Sequence, residues 1–561
     1  MMKKVFLVLL AVVAVNVLSA FLFFRVDLTA EKRYTLSGAT QNLLAGLDDD
    51  VHVNVYLTGD LPPGFKRLEN AVRETLDEFE ARAGQNVTYR FIDIDAIGNA
   101  EAKAKQIEQL SQKGLLPTNL FANEGGKRTE KIIFPGAIVT YKGQEVAVPL
   151  LKGNKAASPE EQLNQSYEGV EYAMASAIRR LTQPAGSRRR VGLLARTNVP
   201  PSRFSDLLAS VQENYDLFFV DLSKPGPIAN LDVLLVPKPD QPFSDDDLFK
   251  VDQFVVNGGR ALFFVDGQRV DSVGAEGTFA QPLNLNLDEL FFGWGIRVNR
   301  DVVKDLSCNV IPLNVGNVGD KPNIQLVPWR FYPVINNFGR GTGAGSHPIV
   351  RNLDVVWTRF VSSMDTVRAV GAGNSSIRKT PLLLTSPYTQ IRQAPVVVGY
   401  NEARQQPDPR TYNGGVRMVG CLLEGRFRSL FANQILPTDP RARGFRAEAT
   451  AESRVVVCSD GDLVVNDVNY QNQTPYPLGF DRFTRQTFAN KDFALNAIDY
   501  LADPEGVIEA RNRQVTLRPL DKVRLQNERT GWQLLNLIGP VALVGLIGVV
   551  WQWNRKRKYG K

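Results

Sequence analysis

Few side chains in this sequence could carry out chemistry. The 561 residues include two histidines, His52 and His347, and three cysteines, Cys308, Cys421 and Cys458. His52 stands among alternating valines, and His347 precedes a proline in a glycine-rich stretch. Because the sequence contains no Cys-x-x-Cys pair and no third histidine, it indicates no zinc ribbon, thioredoxin-type redox site or Ser-His-Asp arrangement.

Two of the cysteines lie in apolar runs that are typical of strands. Cys421 stands in VRMVGCLL and Cys458 in RVVVCSD. This pattern favours buried free thiols, since cysteine is among the residues most often buried. A Cys421–Cys458 disulfide is the alternative if the chain faces an oxidising compartment.

One acidic stretch could hold a metal ion. SDGDLVVND, residues 459–467, contains Asp460, Asp462 and Asp467, whose carboxylates are ligands that Ca²⁺ accepts. Acidic residues in a turn after a strand are the favoured interpretation. Nucleotide binding is not supported, because the chain lacks G-x-x-x-x-G-K-[ST] and its glycine-rich FGRGTGAGS, residues 338–346, predicts a flexible loop. We therefore assign no catalytic, cofactor-binding or metal-ligating residues.

The elements before residue 183 predict an α/β domain. VHVNVYL, residues 51–57, alternates like a half-buried strand, and residues 66–84 repeat apolar side chains at helical spacing. VTYRFIDID follows as a second strand, so the order strand, helix, strand predicts a parallel pair. Residues 131–151 predict a hairpin that turns at Lys142 and Gly143, and residues 158–183 predict a long helix capped by Ser158.

A second α/β unit follows QPAGSRRR. RVGLLAR, YDLFFVDL, LDVLLVPKP and RALFFVDG predict strands, separated by helices near 202–213 and 244–257. Residues 267–415 predict insertions of mixed structure, RMVGCLLEG and RVVVCSDGDLV predict closing strands, and NKDFALNAIDYLAD predicts a late helix. Nearly continuous apolar strands indicate a parallel sheet covered on both faces, in a doubly wound, flavodoxin-like pattern.

Ligands of doubly wound domains often bind at the carboxyl ends of the strands. Those ends carry LARTN, PKPDQ and VDG. In an amidotransferase-like domain a nucleophilic cysteine would follow a strand such as ALFFVDG, but Asp266 and Gly267 stand there. The sequence thus predicts this fold without that chemistry.

Two uncharged apolar segments predict transmembrane helices. Residues 5–24 would span about 30 Å as a helix, and residues 531–554 carry tryptophans near their ends, where membrane interfaces favour them. Basic residues flank both segments on their outer sides, so the positive-inside rule predicts both termini in the cytoplasm and residues 25–530 in the periplasm. A cleaved signal peptide is the alternative for the first segment.

The same basic residues argue against a nucleic-acid partner. The net charge is +7, and Lys3 and Lys4 with the five basic residues of 555–561 account for all of it. A nucleic-acid surface requires basic residues gathered on the working domain. The charge distribution excludes this class.

These patterns divide the chain into six segments. The predicted divisions are an N-terminal transmembrane anchor (1–24), a first periplasmic α/β domain (25–183), a second with insertions (184–480), a juxtamembrane helix and linker (481–530), a C-terminal transmembrane helix (531–554) and a basic cytoplasmic tail (555–561).

Several stretches resemble a known family. They are RVDLTAEKRYTLSGAT, VYLTGDLPPGFKRLENAVRETLDEF, IIFPGAIVTYKGQEVAVPLL, HPIVRNLD, LLEGRFRSLFANQ and NKDFALNAIDYLADPEGVIEARNRQVTLRPLD. In this order, between two apolar segments, they resemble the gliding-motility-associated ABC transporter auxiliary proteins of the GldG type. The resemblance implies a central domain related to intraflagellar-transport-like and amidotransferase-like folds. It also implies a separate cytoplasmic ATPase and a permease as partners.

The leading hypothesis is a non-enzymatic, two-pass inner-membrane subunit of an ABC-type complex, with a periplasmic α/β domain and no cofactor. A periplasmic receptor that captures a ligand for the transporter is an alternative. An envelope hydrolase or amidotransferase is a third hypothesis, and it requires a nucleophile and a base that the sequence does not supply.

Overall fold

The computed structural model describes residues 35–115, 117–124, 127–151, 159–183, 188–270, 272–274, 276–338, 347–351, 353–368, 377–435, 438–469, 471–503 and 528–560. The predicted span at 5–24, the predicted cap Ser158 and residues 339–346 of the glycine-rich stretch lie outside the described residues. The chain divides into two units, residues 1–513 and 514–561.

Residues 35–183, the first region, form an α/β layer. Its helices are α1 (Gly38–Ala45), α2 (Pro63–Ala83), α3 (Ala100–Gln112) and α4 (Pro159–Thr182). Its strands are β1 (Val51–Val55), β2 (Val87–Phe91), β3 (Thr118–Glu124), β4 (Lys127–Ile133), β5 (Gly136–Tyr141) and β6 (Gln144–Pro149). Of these elements, α1, α3, β3 and β4 were not identified from the sequence.

The four-stranded sheet of the first region has the order β2-β1-β5-β6. β1 pairs in parallel with β2, as the strand–helix–strand pattern predicted, and antiparallel with β5. The valines of β1 face a core that includes Leu68 and Phe79 of α2 and Met174 of α4. Lys142 and Gly143 have positive φ angles of 47° and 78° and form the predicted turn between β5 and β6.

Residues 188–503, the second region, contain the larger sheet. The helices are α5 (Ser205–Asn214), α6 (Asp245–Val256), α7 (Asp288–Trp294) and α8 (Asn490–Ala502). The first strands are β7 (Arg190–Leu193), β8 (Asp216–Phe219), β9 (Val233–Pro237), β10 (Arg260–Phe264), β11 (Gln268–Arg269), β12 (Thr278–Pro282), β13 (Ile296–Val298), β14 (Asp301–Asp305) and β15 (Cys308–Val318). The remaining strands are β16 (Lys321–Ile335), β17 (Val356–Trp357), β18 (Met364–Thr366), β19 (Arg378–Leu384), β20 (Thr389–Gln393), β21 (Val396–Val398), β22 (Met418–Gly425), β23 (Ser453–Cys458), β24 (Phe480–Asp481) and β25 (Gln486–Thr487).

The large sheet has the order β13-β18-β22-β23-β10-β9-β7-β8, and β19 also pairs with β22. Five strands, β8, β7, β9, β10 and β23, are parallel neighbours. β22 pairs antiparallel with β23 and starts the antiparallel side of the sheet. The elements predicted from RVGLLAR to RALFFVDG are therefore present in one sheet.

Helices cover both faces of this sheet. Alternate residues of β10 divide between two hydrophobic clusters: Leu262 and Phe264 pack with α5 and α8, and Ala261 and Phe263 pack with α6 and α7. α6 begins after Ser244, whose side chain accepts from the Asp247 backbone N–H, while the Asp247 carboxylate accepts from the Ser244 N–H. α8, within the segment predicted to be juxtamembrane, packs on the sheet through Phe493.

Residues 267–415 build smaller sheets beside the large one. These sheets are β11-β12-β21, β14-β20 and β15-β16-β17. They share a cluster of buried side chains that includes Val302, Trp329 and Phe331. This segment, predicted as mixed structure, therefore combines strands with the helix α7, and its strands β13, β18 and β19 join the large sheet.

The unit at 514–561 contains α9 (Arg529–Tyr559), a continuous helix that includes Pro540. Among the described residues, the stretch Arg529–Lys558 is the one helix long and apolar enough to cross a membrane. Its leucine and valine side chains are exposed.

Candidate functional site

Charged side chains meet at the carboxyl ends of three parallel strands. Lys238 follows β9, Asp266 follows β10, and Asp462 lies just beyond β23. The Nζ atom of Lys238 lies 2.8 Å from Asp266 Oδ2 and 2.8 Å from Asp462 Oδ2. We call Lys238, Asp266, Asp460 and Asp462 the strand-end cluster.

The strand-end cluster depends on a close approach at Gly461. The Gly461 backbone N–H donates to Asp266 Oδ1 at 2.6 Å. A Cβ atom at Gly461 would lie 2.6 Å from Lys238 Cγ, closer than side-chain carbons tolerate. Glycine therefore allows the turn after β23 to close over the lysine.

A second ion pair lies beside the cluster. The Arg359 guanidinium donates two hydrogen bonds to Asp467, at 2.9 Å and 2.7 Å, and stacks 4.0 Å from the centroid of the Trp357 ring. The Arg359 backbone N–H donates to Asp460 Oδ2 at 2.7 Å. The paired hydrogen bonds to Asp467 are the strong form of an arginine–carboxylate contact. The bond to Asp460 connects the backbone at Arg359 to the turn that follows β23.

Burial and neighbouring charges together shift the pKa values of these aspartates in opposite directions. Burial, reinforced by Asp462 and Asp266, raises the pKa of Asp460 well above its usual range. Burial also raises the pKa of Asp266, although Lys238 opposes the shift. For Asp462 burial is outweighed by Lys238 and Arg359, which lower its pKa. The two aspartates flanking Lys238 thus differ in proton affinity.

The structure changes the predicted grouping of acids. Carboxylate oxygens of Asp266, Asp460 and Asp462 lie within 4.8 Å of one another, whereas the sequence grouped Asp467 with the latter two. Asp467 instead binds Arg359. Because the Lys238 ammonium already bridges two of the three carboxylates, it supplies the positive charge that a metal ion would supply.

The sequence analysis did not identify two residues of this site, Lys238 and Arg359. Lys238 lies in the quoted PKPDQ, but only the sheet order brings it beside Asp266. Arg359 lies 101 positions before Asp460, with no local pattern that relates the two. Asp266, where an amidotransferase-like domain would place its nucleophile, accepts hydrogen bonds from Lys238 and Gly461.

The other strand-end loops contact each other. Arg196 of LARTN donates to the Pro242 carbonyl at 2.6 Å and pairs with Asp247 at 3.0 Å. The Asn198 backbone N–H donates to Asp240 Oδ2 of PKPDQ at 2.9 Å. These bonds join the loops that follow β7 and β9.

The two histidines lie apart. His52 is exposed on β1, and its Nδ1 lies 2.6 Å from Thr88 Oγ1 on β2. His347 Nδ1 accepts from the Ile349 N–H at 3.3 Å, and its ring packs edge-on against Tyr500. Burial, aided by Arg378 and Arg454, lowers the pKa of His347 to about 4. His347 is therefore neutral at pH 7.

The cysteines are free thiols, so the alternative of a Cys421–Cys458 disulfide is wrong. Cys421 pairs in register with Val457, next to Cys458 on the neighbouring strand. However, Cys421 packs with α6 and α7 on one face of the sheet, and Cys458 packs with α5 and α8 on the other. Adjacent strand positions point their side chains to opposite faces, which keeps the two sulfur atoms apart.

A cavity of about 740 Å³ has no residue of the strand-end cluster in its lining. It is bounded by α7, by the turn between β13 and β14, and by the loop that follows β22. Phe292, Arg297, Arg300 and Arg428 are among its lining residues. Its volume is within the usual range for small-molecule sites.

Comparisons with known proteins give one family assignment and one full-length relative. The family model described as "ABC-type uncharacterized transport system" matches residues 188–497, and a model described as a domain of unknown function matches residues 30–140. An uncharacterized protein of Borreliella burgdorferi is 18% identical over 547 residues, covering 95% of this chain and 94% of the relative.

Among solved structures, the mmIFT52 N-terminal domain aligns with 55% of this chain and 96% of its own. The identity is 11% and the TM-score is 0.27. A similarity at this TM-score assigns no fold.

Proposed function

Because the chain belongs to the ABC-type uncharacterized transport system family, we propose that it is a non-enzymatic auxiliary subunit of a membrane complex, working with a separate cytoplasmic ATPase and a permease. The match over residues 188–497 carries this proposal, and the apolar helix α9 supports it. The resemblance of the quoted stretches to gliding-motility-associated proteins of the GldG type is the support for a role in motility.

The proposed topology has two membrane passes. In it, residues 5–24 and α9 cross the inner membrane, both termini are cytoplasmic, and the first and second regions are periplasmic. The support is the apolar length of each segment and the basic run at 555–558, since Lys and Arg concentrate on the cytoplasmic side.

The proposed non-enzymatic role is supported by the chemistry of the strand-end cluster. Lys238 is held between Asp266 and Asp462, and Asp460 accepts two backbone N–H groups. These contacts give each charged group of the strand-end cluster a partner within the protein. The order of the five parallel strands, second-first-third-fourth-fifth in sequence, supports the proposal that the large sheet is flavodoxin-like.

In the proposed mechanism the periplasmic regions respond to movement of their membrane anchors. α8 ends at Ala502, and the chain continues from there to α9. α4, which ends the first region, contacts the residue that follows α8, since Arg179 Nη1 lies 3.0 Å from Asp503 Oδ1. A movement of one membrane anchor relative to the other would therefore place mechanical strain on the contact between α4 and the end of α8.

Co-purification of the full chain from its native membrane tests the proposal. After extraction in mild detergent, the wild-type chain is expected to recover an ABC ATPase and a multi-spanning permease. A variant whose residues 529–554 are replaced by a leucine–alanine helix of equal length keeps the membrane anchor and the basic tail but loses the native surface of α9. Loss of the partners from this variant would assign the contact to α9. Recovery of the wild-type chain alone would overturn the proposal.

A further inference from the structure

The cavity beside α7 combines an apolar wall with open space. Phe292 of α7 is 43% exposed and lines the cavity together with Leu430. Gly293 also lines it, and a Cβ atom added there would meet no atom within 4 Å. An exposed aromatic ring beside unfilled volume is typical of a ligand site, because burial of apolar ligand surface against the ring stabilises a complex.

Guanidinium groups and carboxylates line this cavity together. Arg297, Arg300 and Arg428 line it, against the carboxylates of Asp288 and Glu289. Arg300 Nη2 lies 2.7 Å from Asp288 Oδ2, which leaves the remaining N–H donors of its guanidinium fork for other acceptors. The partner of Arg297 is Asp365, which does not line the cavity. The Asp365 carboxylate compensates Arg297 from outside the lining, so Arg300 and Arg428 are the lining cations that an anionic ligand would contact.

The loop that follows β22 and lines the cavity is fixed by hydrogen bonds to α6. Buried Asp252 of α6 accepts from Ser429 Oγ at 2.5 Å and from the Leu430 N–H at 3.0 Å. Gln253 donates to the Arg446 carbonyl at 2.9 Å, which fixes the returning chain. Arg428 donates to Asn433 Oδ1 at 3.2 Å within the same loop. A wall fixed in this way loses little freedom when a ligand binds.

We propose that this cavity binds a small organic anion that combines a carboxylate or sulfonate with an apolar or aromatic body. The arginine side chains pair with the acidic group, and Phe292 packs on the apolar body. The inference does not depend on the transport role, since it is drawn from the cavity alone.

Calorimetric titration of the full chain in detergent tests the proposal, with empty micelles as the blank. The probes are 2-naphthoate and its neutral analogue 2-naphthamide. Wild type is expected to bind naphthoate saturably and at least about tenfold more tightly than naphthamide, a difference that a charge-assisted contact provides. Gly293→Phe fills the cavity and should abolish saturable binding. Gly38→Phe, at an equally open helical glycine outside the cavity, should bind like wild type.

The arginine variant separates charge from shape. Arg300→Gln/Arg428→Gln should weaken naphthoate binding about tenfold and leave naphthamide binding unchanged. This variant decides the question if Gly293→Phe does not fold. The proposal is overturned if wild type shows no saturable naphthoate binding up to about 10 mM, if naphthamide binds as tightly, or if folded Gly293→Phe binds like wild type.

Discussion

The Oη atom of Tyr172 donates a hydrogen bond of 2.9 Å to Asp499 Oδ2, joining residues 327 positions apart. Tyr172 belongs to α4 of the first region, and Asp499 belongs to α8 of the second. Tyr215 Oη donates to the other carboxylate oxygen of Asp499 at 2.6 Å. The side chain of Tyr172 packs within the same cluster of buried residues as α8. One aspartate therefore connects the two regions.

Loss of the Tyr172 hydroxyl should loosen this connection. We expect Tyr172→Phe to lower the free energy of unfolding by about 1.5–3 kcal/mol, because it removes a hydrogen bond to a charged group. Urea denaturation measures the loss, and hydrogen exchange should quicken along α4. Tyr388→Phe is the control, since Tyr388 is 59% exposed. Equal effects of the two substitutions would contradict a specific connection at Asp499.

Removal of the Lys238 ammonium should destabilise the strand-end cluster in a pH-dependent way. Lys238→Met leaves Asp266 and Asp462 facing each other without a cation, which we expect to cost about 3–5 kcal/mol at pH 8. Without Lys238 the pKa of Asp462 rises, so protonation at low pH relieves the repulsion and the deficit shrinks.

Thermal unfolding of this variant between pH 5 and pH 8 checks the expectation. Lys103→Met is the matched control, because the Lys103–Asp95 pair is more exposed and should be worth at most about 1 kcal/mol. A deficit that stays the same at both pH values would show that lost packing, rather than lost charge, explains the effect.

His347 should make the protein less stable in acid. Its folded-state pKa of about 4 lies below the value of 6.5 for a free histidine, so the unfolded chain binds the proton more readily. The stabilising contribution is fully present above about pH 6.5 and is lost as the pH falls towards 4, amounting to at most about 3 kcal/mol.

His347→Asn tests this contribution, because asparagine offers an acceptor to the Ile349 N–H without titrating. The free energy of unfolding of the variant should vary less between pH 4 and pH 7 than that of wild type. His52→Asn, at the exposed histidine, should keep the wild-type profile. An unchanged profile in His347→Asn would contradict the role assigned to His347.

The thiols should react slowly while the protein is folded. Burial raises the pKa of Cys308 to about 11 and that of Cys421 to about 12, and it raises the pKa of Cys458 well above its usual value. Since the thiolate is the reactive form, we expect Ellman's reagent to label all three cysteines rapidly only in denaturant. Dithiothreitol should leave the melting temperature unchanged. A drop on reduction would indicate a disulfide.

The sequence predicted those elements that depend on interactions between residues close together in the chain. The alternation of β1, the turn at Lys142 and Gly143, and the apolar strands β9 and β10 are set by pleat, backbone conformation and burial, all of which operate over a few residues. The strands of residues 267–415 were not predicted, because their polar and apolar residues follow no clean period; β16, for instance, changes from an exposed to a buried pattern along its length.

The partners of the acidic residues in SDGDLVVND could not be predicted from the neighbouring sequence. SDGDLVVND supplied three candidate acids, yet two of them meet Asp266 and Lys238 from other strands while Asp467 turns to Arg359. Neighbours in a parallel sheet come from distant parts of the chain, so the residue that neutralises a carboxylate has no signature beside it.

The sequence by itself determined the α/β character, the apolar C-terminal helix and the basic run that follows it, because periodicity, length and charge are properties of short segments. Only the tertiary structure decided that Lys238 lies between two aspartates, that Cys421 and Cys458 face opposite sides of the sheet, and that Asp499 joins the two regions. These relationships depend on strand order and helix packing, which bring together side chains that the chain itself keeps far apart.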